Sequence, residues 1–433
     1  MNRRIKVLMF GWEFPPHISG GLGTACYGLT KGLMKHNTEV YFVVPKAYGD
    51  EDQHAVRIVN ASEETVELSG ESVHEFQEKL RFIEVDALLA PYMDPEEYLR
   101  AREELILRRE KDSHLRFSAR FDFSGKYGAN LMEEVARYAL VGESVARRVD
   151  VDVIHAHDWL TYQAGIAAKR VSGKPLVVHI HATEFDRSGE NVNQLVYDIE
   201  REGMQAADLV IAVSNFTRNI VIERYGIDPS KVITVHNAVE PTDATLVQQD
   251  KHFPDKVVTF LGRITYQKGP EYFVEAAHKI LQRDRNVRFV MAGSGDMMEK
   301  MVRRVARLGM ADKFHFTGFL RGENIDRLFA ITDVFVMPSV SEPFGIVPLE
   351  AMRSNVPVVI SKQSGVSEVL QHALKVDFWD IEGLADSIYG LLHYHALSET
   401  FSRHGKTEVD NLKWENAAAK VVDVYTQALT QTL

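Results

Sequence analysis

The chain has 433 residues, more than one ordinary core accommodates, so two domains are expected. An apolar fraction of 45 % excludes wholesale disorder. Lys and Arg number 50 against 61 Asp and Glu, and the net charge of −11 argues against a general affinity for nucleic acid or an anionic membrane. The single cysteine, Cys26, permits no internal disulfide, which fits a reducing compartment. It falls in an apolar-periodic stretch, so a packing role is expected. The apolar run at residues 7–10 is too short for a signal peptide, and no stretch approaches the roughly 20 apolar residues that span a bilayer. A soluble cytoplasmic protein is expected.

In chain order, short apolar runs at residues 5–10, 40–44, 153–157, 176–181 and 209–213 read as buried strands. A second series follows at 257–261, 287–292, 314–317, 334–337 and 358–360. Near-continuous Val/Ile/Leu runs imply strands covered on both faces, and alternation with helical patterns implies parallel sheets. Leu22, Cys26, Leu29 and Leu33 recur at helical spacing, as do Phe273, Ala277 and Ile280. Residues 49–135 interrupt the series with many charges and no clear strands. Within them, residues 98–121 hold seven Lys/Arg against four Asp/Glu with Leu and Phe interleaved. A solvated helical excursion is expected there, an acceptor or partner surface being the alternative. Residues 237–256 read as an interdomain linker. The stretch from Trp414 reads as a last helix with Val421, Val422, Tyr425 and Leu429 on one face. The expected division is 1–240 (with the excursion at about 49–135), 241–410, and a terminal helix at 411–433.

Four groups of residues carry chemistry. Ser19-Gly20-Gly21-Leu22-Gly23 follows the first strand and opens a helix. Glycines let the backbone approach a ligand, and the helix N-terminus offers free N–H groups to an anion. A tight turn is the competing reading. No Gly-Lys-Ser/Thr follows, so this is not a Walker loop. Gly262-Arg263-Ile264-Thr265-Tyr266-Gln267-Lys268-Gly269-Pro270 follows the first strand of the second series. Pro270 suits a first helical position. Ligands of open α/β sheets bind at the carboxyl ends of strands, where Arg263 and Lys268 would stabilise the charge of a departing pyrophosphate.

The third group, Ser341 to Glu350, follows the strand at 334–337. A helix is expected to begin near Phe344, with Glu342 outside it and Glu350 about two turns in. At about 1.5 Å per residue the carboxylates stand up to about 12 Å apart. That exceeds the roughly 5–9.5 Å of a carboxylate pair flanking one glycosidic bond. Two ends of one ligand fit better, Glu342 on sugar hydroxyls and Glu350 on a ribose. Backbone N–H groups of Gly345, Ile346 and Val347 would face the same ligand. The fourth group is the pair of strand ends His155-Ala156-His157-Asp158-Trp159 and His179-Ile180-His181-Ala182-Thr183-Glu184. Four His and two carboxylates raise a zinc reading. Packing inside the sheet is expected instead for His155 and His179, leaving one His per strand end for a sugar. Gly293-Ser294-Gly295 and Thr317-Gly318-Phe319-Leu320 follow strands of the second series and line the same cleft.

Together these motifs resemble the retaining glycosyltransferases of the GT-B fold, glycosyltransferase family 4, with glycogen synthase-like features. The resemblance covers nearly the whole chain and is most specific from Glu342 through Glu350, two glutamates separated by seven residues. It implies an α/β fold of two Rossmann-like domains whose parallel sheets face a central cleft. The terminal helix is similar to the one that crosses back to the first domain in that family. Arg263 and Lys268 match its diphosphate-binding pair, and His181 matches the histidine near the sugar's 6-hydroxyl and reacting carbon. Asp158 and Trp159 match the acceptor side, and Ser19, Gly20 and Gly21 the glycine loop. Phe319 and Leu320 fall where the base is read. Two departures separate the chain from bacterial glycogen synthases: Ile18 stands where they carry lysine, and Glu350 where they carry tyrosine.

The resemblance implies front-face transfer of a hexose, with glucose foremost, from a UDP- or ADP-linked donor to a carbohydrate such as an α-glucan. The acceptor hydroxyl attacks on the side the diphosphate leaves, and a phosphate oxygen takes its proton. No metal, cofactor or enzyme nucleophile is expected; the nucleotide diphosphosugar is a co-substrate, and no Asp-x-Asp insists on a divalent ion. The alternatives are a different small-sugar or lipid-linked acceptor, a nucleotide-sugar epimerase or a phosphorylase on the same fold, and a non-catalytic binder. Membrane association and nucleic acid are not expected, and the oligomeric state is left open.

Overall fold

In the computed structural model the described residues are 4–17, 20–68, 117–125, 127, 130–239, 251 and 253–431. The chain divides into two compact units. The first comprises residues 1–179, 198–210 and 422–433, the second residues 180–197 and 211–421.

Each of the ten predicted strands is present. The first series gives β1 (Ile5–Phe10), β2 (Thr38–Val44), β3 (Arg57–Asn60), then a small antiparallel pair β4 (Val66–Leu68) and β5 (Phe117–Ala119), then β6 (Val153–His157), β7 (Leu176–Ile180), β8 (Leu209–Ala212) and β9 (Val232–Thr234). Seven of these form one sheet in the order β3-β2-β1-β6-β7-β8-β9. The second series gives β10 (Lys256–Leu261), β11 (Val287–Ala292), β12 (Phe314–Gly318), β13 (Val334–Met337), β14 (Val358–Ser361) and β15 (Leu374–Val376), ordered β12-β11-β10-β13-β14-β15. The registered neighbours β1 with β2 and β6, and β10 with β11 and β13, are parallel. Both sheets therefore reverse strand order beside β1 and β10, the kind of switch point where ligands settle.

The strands that hydropathy did not predict lie at edges. β3, β9 and β15 are three or four residues long and partly exposed, so they lack the continuous apolar run that marks a strand buried on both faces. Most of the segment 98–121 lies outside the described residues, as do residues 240–250 of the expected linker.

In the first unit, α1 (Gly21–Lys35) buries Cys26, Leu29 and Leu33 as the helical spacing predicts. Cys26 is a packing residue, and burial foremost raises its thiol pKa. The Tyr138 hydroxyl lies 3.0 Å from the Gly11 carbonyl and 2.7 Å from that of Val43, fixing the carboxyl ends of β1 and β2 where the glycine loop departs. In the second unit, Phe273, Ala277 and Ile280 of α2 (Pro270–Arg283) form a fully buried stripe against β10 and β11.

The last helix, α3 (Trp414–Gln431), buries Val421 and Tyr425 of the expected face, but its inward stripe is rotated from the one expected. Ala418, Val421, Val424, Tyr425 and Ala428 are buried, whereas Val422 and Leu429 are only partly so. The expected face counted branched residues and passed over alanine. The 3-4-3 spacing of positions 418, 421, 425 and 428 defines the inward stripe.

Candidate active site

The second unit brings Lys268 to Glu342, with Arg263 on the same loop as Lys268. β10 ends at Leu261, and the following loop makes one tight turn at Tyr266–Lys268 before α2 starts at Pro270, as predicted. Gly269 links turn and helix at φ 64°, and a Cβ there would meet the Pro338 carbonyl oxygen at 2.0 Å. Only glycine lets the β10 loop lie this close to the end of β13. Lys268 Nζ donates to Glu342 Oε2 at 2.5 Å, and Ser339 Oγ donates to the same oxygen at 3.2 Å. Arg263 Nη2 donates to Gln267 Oε1 at 3.0 Å. The buried Gln267 also accepts, through its backbone carbonyl, the Val340 N–H at 2.9 Å. One loop thus carries both cations, Lys268 bonded to Glu342 and Arg263 to Gln267, at the carboxyl ends of two adjacent parallel strands.

The neighbouring loops are fixed to it by backbone bonds. Ile264 N–H donates to the Ser294 carbonyl at 2.9 Å, and Gly293 N–H to the Gly318 carbonyl at 2.8 Å. Gly293 is at φ 139°, and a Cβ on it would meet the Gly262 carbonyl at 1.8 Å. Phe319, just beyond β12, is 52 % exposed, with the Arg321 guanidinium over its ring. Leu320 packs partly against Val257, Val290 and Leu328.

The helix after β13 starts later than expected. It spans Val347–Arg353, with Ile346 at its cap, so Glu350 sits in the first turn rather than two turns in. Two local facts delay it. Pro348 has no N–H to give the Phe344 carbonyl, and that carbonyl instead accepts Val366 N–H at 2.7 Å. Gly345 is at φ 101°, a left-handed conformation that breaks the helical path. Gly345, Ile346 and Val347 therefore lie at the very start of this helix. The Pro343 carbonyl accepts from Ser214 Oγ at 2.6 Å.

The His181 segment belongs to the same unit. A short helix at Glu184–Ser188 is closed by a capping box in which Thr183 and Asp186 bond reciprocally. Asp186 Oδ2 accepts both the N–H and the Oγ1 of Thr183 at 2.7 Å. Its other oxygen accepts Ser341 Oγ at 2.5 Å, one residue before Glu342. Asp186 is 1 % exposed. Burial raises its carboxyl pKa, with the bonds from Ser341 and Thr183 working the other way.

In the first unit, Gly20 caps α1 in extended backbone (φ −176°), and a Cβ on Gly20 or Gly21 would meet nothing within 4 Å. Neither backbone strain nor packing inside the protein demands glycine there. Ser19 and Ile18 lie outside the described residues. Asp158 precedes the helix Trp159–Ser172 at φ 58°, a strained conformation for a non-glycine residue, while its N–H donates to the His179 carbonyl at 3.0 Å. Trp159 is partly buried at the first helical position. His155 and His179 are buried within the sheet as expected, and His157 is buried with them. The three rings stack at 4.3–5.4 Å, and His155 Nδ1 meets the Tyr425 hydroxyl at 2.6 Å. Each of the three rings offers a nitrogen within 4.8 Å of the others, so the trio forms a cluster of donor atoms inside the sheet.

Two family models match consecutive stretches of the chain: Glycosyltransferase Family 4 over residues 112–243 and Glycosyl transferases group 1 over residues 244–408. A glycosyltransferase of Methanocaldococcus jannaschii is 30 % identical over 445 residues, spanning 98 % of this chain and 99 % of that protein. The chain belongs to the glycosyltransferases. The glycogen synthase of Mycobacterium tuberculosis is 23 % identical over 433 residues, covering 98 % of the transferase and 95 % of that protein. Among solved structures, sucrose-phosphate synthase from Thermosynechococcus elongatus superposes with a TM-score of 0.70 at 17 % identity. That match covers 99 % of the transferase and all of the other chain. The transferase therefore has the GT-B fold of two parallel-sheet α/β domains.

The electrostatics of the transferase separate its titratable groups by environment. Burial pushes the His181 pKa down to about 3, so its ring is neutral at any physiological pH. A neutral imidazole offers one donor and one acceptor but no charge. Burial foremost raises the Glu350 carboxyl, with Arg353 opposing and Asp326 adding to the shift. Sequence reasoning missed Asp186 and Ser339, and it included Gln267 and Ser341 in motifs without giving them a role. The Thr183-x-x-Asp186 spacing marks a helix cap, yet nothing in it signals the bond to Ser341.

Proposed function

We propose that the transferase moves a hexose, with glucose foremost, from a UDP- or ADP-linked donor to a carbohydrate acceptor with retention of configuration. An α-glucan, as in glycogen synthesis, is the acceptor favoured by the likeness to a glycogen synthase over nearly its full length. The observation that carries the reading is the meeting of Lys268 with Glu342, beside the loop that presents Arg263. Transfer from a nucleotide diphosphosugar needs cations where negative charge develops and an acceptor of hydrogen bonds where the sugar lies. In this reading Arg263 and Lys268 stabilise the departing diphosphate, Glu342 and the neutral His181 hold the sugar, and Glu350 accepts the ribose hydroxyls. Gly345, Ile346, Val347, Phe319 and Leu320 complete the donor contacts, together with Ser19, Gly20 and Gly21. Asp158 and Trp159 serve the acceptor.

The proposed step is a front-face displacement. The bond from the anomeric carbon to the diphosphate breaks, the acceptor oxygen bonds to that carbon from the same face, and a diphosphate oxygen takes the acceptor's proton. It uses no cofactor and no metal, and the enzyme acts in the cytoplasm. Among the described residues no helix is long and apolar enough to cross a membrane. A donor-by-acceptor screen tests the whole reading, with released nucleoside diphosphate as readout, product anomer by NMR, and EDTA in parallel. Acceptor-dependent nucleotide release with an α-linked product, unchanged by EDTA, is expected. An inverted product, loss of activity in EDTA, or donor epimerised without acceptor would overturn it.

A further inference from the structure

Two segments of the second unit must keep their spacing if His181 and Glu342 are to hold one sugar. They come from different parts of the chain. His181 follows β7, and Glu342 follows β13. Asp186 bonds to both. One carboxylate oxygen takes two bonds from Thr183, two residues beyond His181, and the other takes the bond from Ser341, adjacent to Glu342. The short helix that carries Asp186 also packs on the Tyr266–Lys268 turn. Gly189 lies against the Tyr266 ring there, a Cβ on it falling 3.8 Å from Cε1. Ser341 N–H points to the Gln267 carbonyl at 3.5 Å, so the same node reaches the turn that ends in Lys268.

We propose that Asp186 is a positioning residue, and that its bond to Ser341 sets the His181 segment in register with Glu342 and Lys268. Asp186 touches no reacting atom; it acts through the two segments it joins. The capping box alone does not account for it. A capping aspartate needs its Oδ2 bonds to Thr183, whereas the bond from Oδ1 to Ser341 closes no turn of the helix. The acceptor is buried although Ser341 is only partly so, and leaving the buried Oδ1 without a donor costs more than losing an exposed bond.

The proposal rests on the assignment of His181 and Glu342 to the sugar. Its test separates the two by comparing variants of a wild type whose nucleotide-sugar turnover has first been measured. Ser341→Ala removes the inter-segment bond and leaves the capping box intact. Ser341→Thr keeps a hydroxyl, and Asp186→Asn keeps the shape, because its amide oxygen serves Thr183 while its NH₂ donates to Ser341 Oγ. The expected result for Ser341→Ala is a fall in kcat of about tenfold to a hundredfold, with donor KM moved less than threefold. Ser341→Thr should recover most of the rate, and Asp186→Asn should be closer to wild type than Asp186→Ala. Melting temperature is followed in each. A drop in melting temperature with kcat per folded molecule unchanged would make the bond structural only and end the proposal. So would a Ser341→Ala enzyme with wild-type kcat, or a Ser341→Thr enzyme no better than Ser341→Ala. If the wild type turns over no nucleotide sugar, it is the functional reading that fails.

Discussion

Replacing Lys268 by Ala separates what the Lys268–Glu342 pair does for stability from what it does for turnover. The Glu342 side chain is 8 % exposed and that of Lys268 is 21 % exposed, at 2.5 Å. Breaking a fully buried pair by removing one partner costs about 3–5 kcal/mol. Lys268 keeps some access to water, and Ser339 Oγ still donates to Glu342 at 3.2 Å, so a loss of about 2–3 kcal/mol is expected. Removing one preorganised donor from a developing oxyanion costs about 2.7–4 kcal/mol of barrier, or about 10²–10³ in kcat. Both effects appear in the single variant. The double variant Lys268→Ala, Glu342→Gln distinguishes them. A neutral amide removes the stranded charge, so stability should return by about 1–2 kcal/mol, whereas kcat should stay low or fall further. Denaturant unfolding gives the first quantity and initial-rate nucleotide release the second. Recovery of kcat together with stability in the double variant would refute the reasoning, because it would mean that the lysine only neutralises Glu342.

Three further expectations follow from local geometry. Gly269→Ala combines φ 64° with a Cβ placed 2.0 Å from the Pro338 carbonyl. It should destabilise by at least about 1–3 kcal/mol and lower turnover with it, as denaturant melts and rates would show. Gly21→Ala meets open space, so its unfolding curve should match wild type while donor KM rises; an unchanged KM would leave the glycine without a ligand to explain it. His181 has a folded pKa of about 3 against an ordinary value of 6.5. The unfolded chain therefore binds a proton there that the folded one does not, and stability contributed above pH 6.5 is lost as pH falls toward 3. His181→Asn should flatten that acid-side slope by up to one proton, and kcat should show no inflection near pH 6.5 that disappears in the variant.

The sheets were readable because their strands are buried on both faces. Runs such as Val287–Ala292 and Val334–Met337 carry the apolar signal along their whole length. The loop that carries Arg263 and Lys268 was readable because it follows a buried strand and carries both cations before Pro270. The edge strands β3, β9 and β15 were not, since they are three or four residues long and partly face water, whereas the longer edge strand β12 was read. The start of the helix carrying Glu350 was misplaced because periodicity cannot register where a carbonyl is already engaged. Phe344 looked like a first helical residue by composition, yet its carbonyl belongs to Val366.

Asp186 shows the deeper reason why part of the site stayed hidden. In sequence it is an acidic residue three places after a threonine, and that pattern is satisfied completely by a helix cap. Its second oxygen meets a serine 155 positions away, a relation that no local period encodes. A side chain with two separable acceptor atoms can close a turn with one and join two segments with the other, and only the first task leaves a trace in nearby residues. Sequence reading therefore favours groups that face a ligand, which sit at strand ends and on glycine loops, over groups that hold them in place. If the Ser341 variants behave as expected, the alignment of His181 with Glu342 will be traced to a bond that neither motif contains.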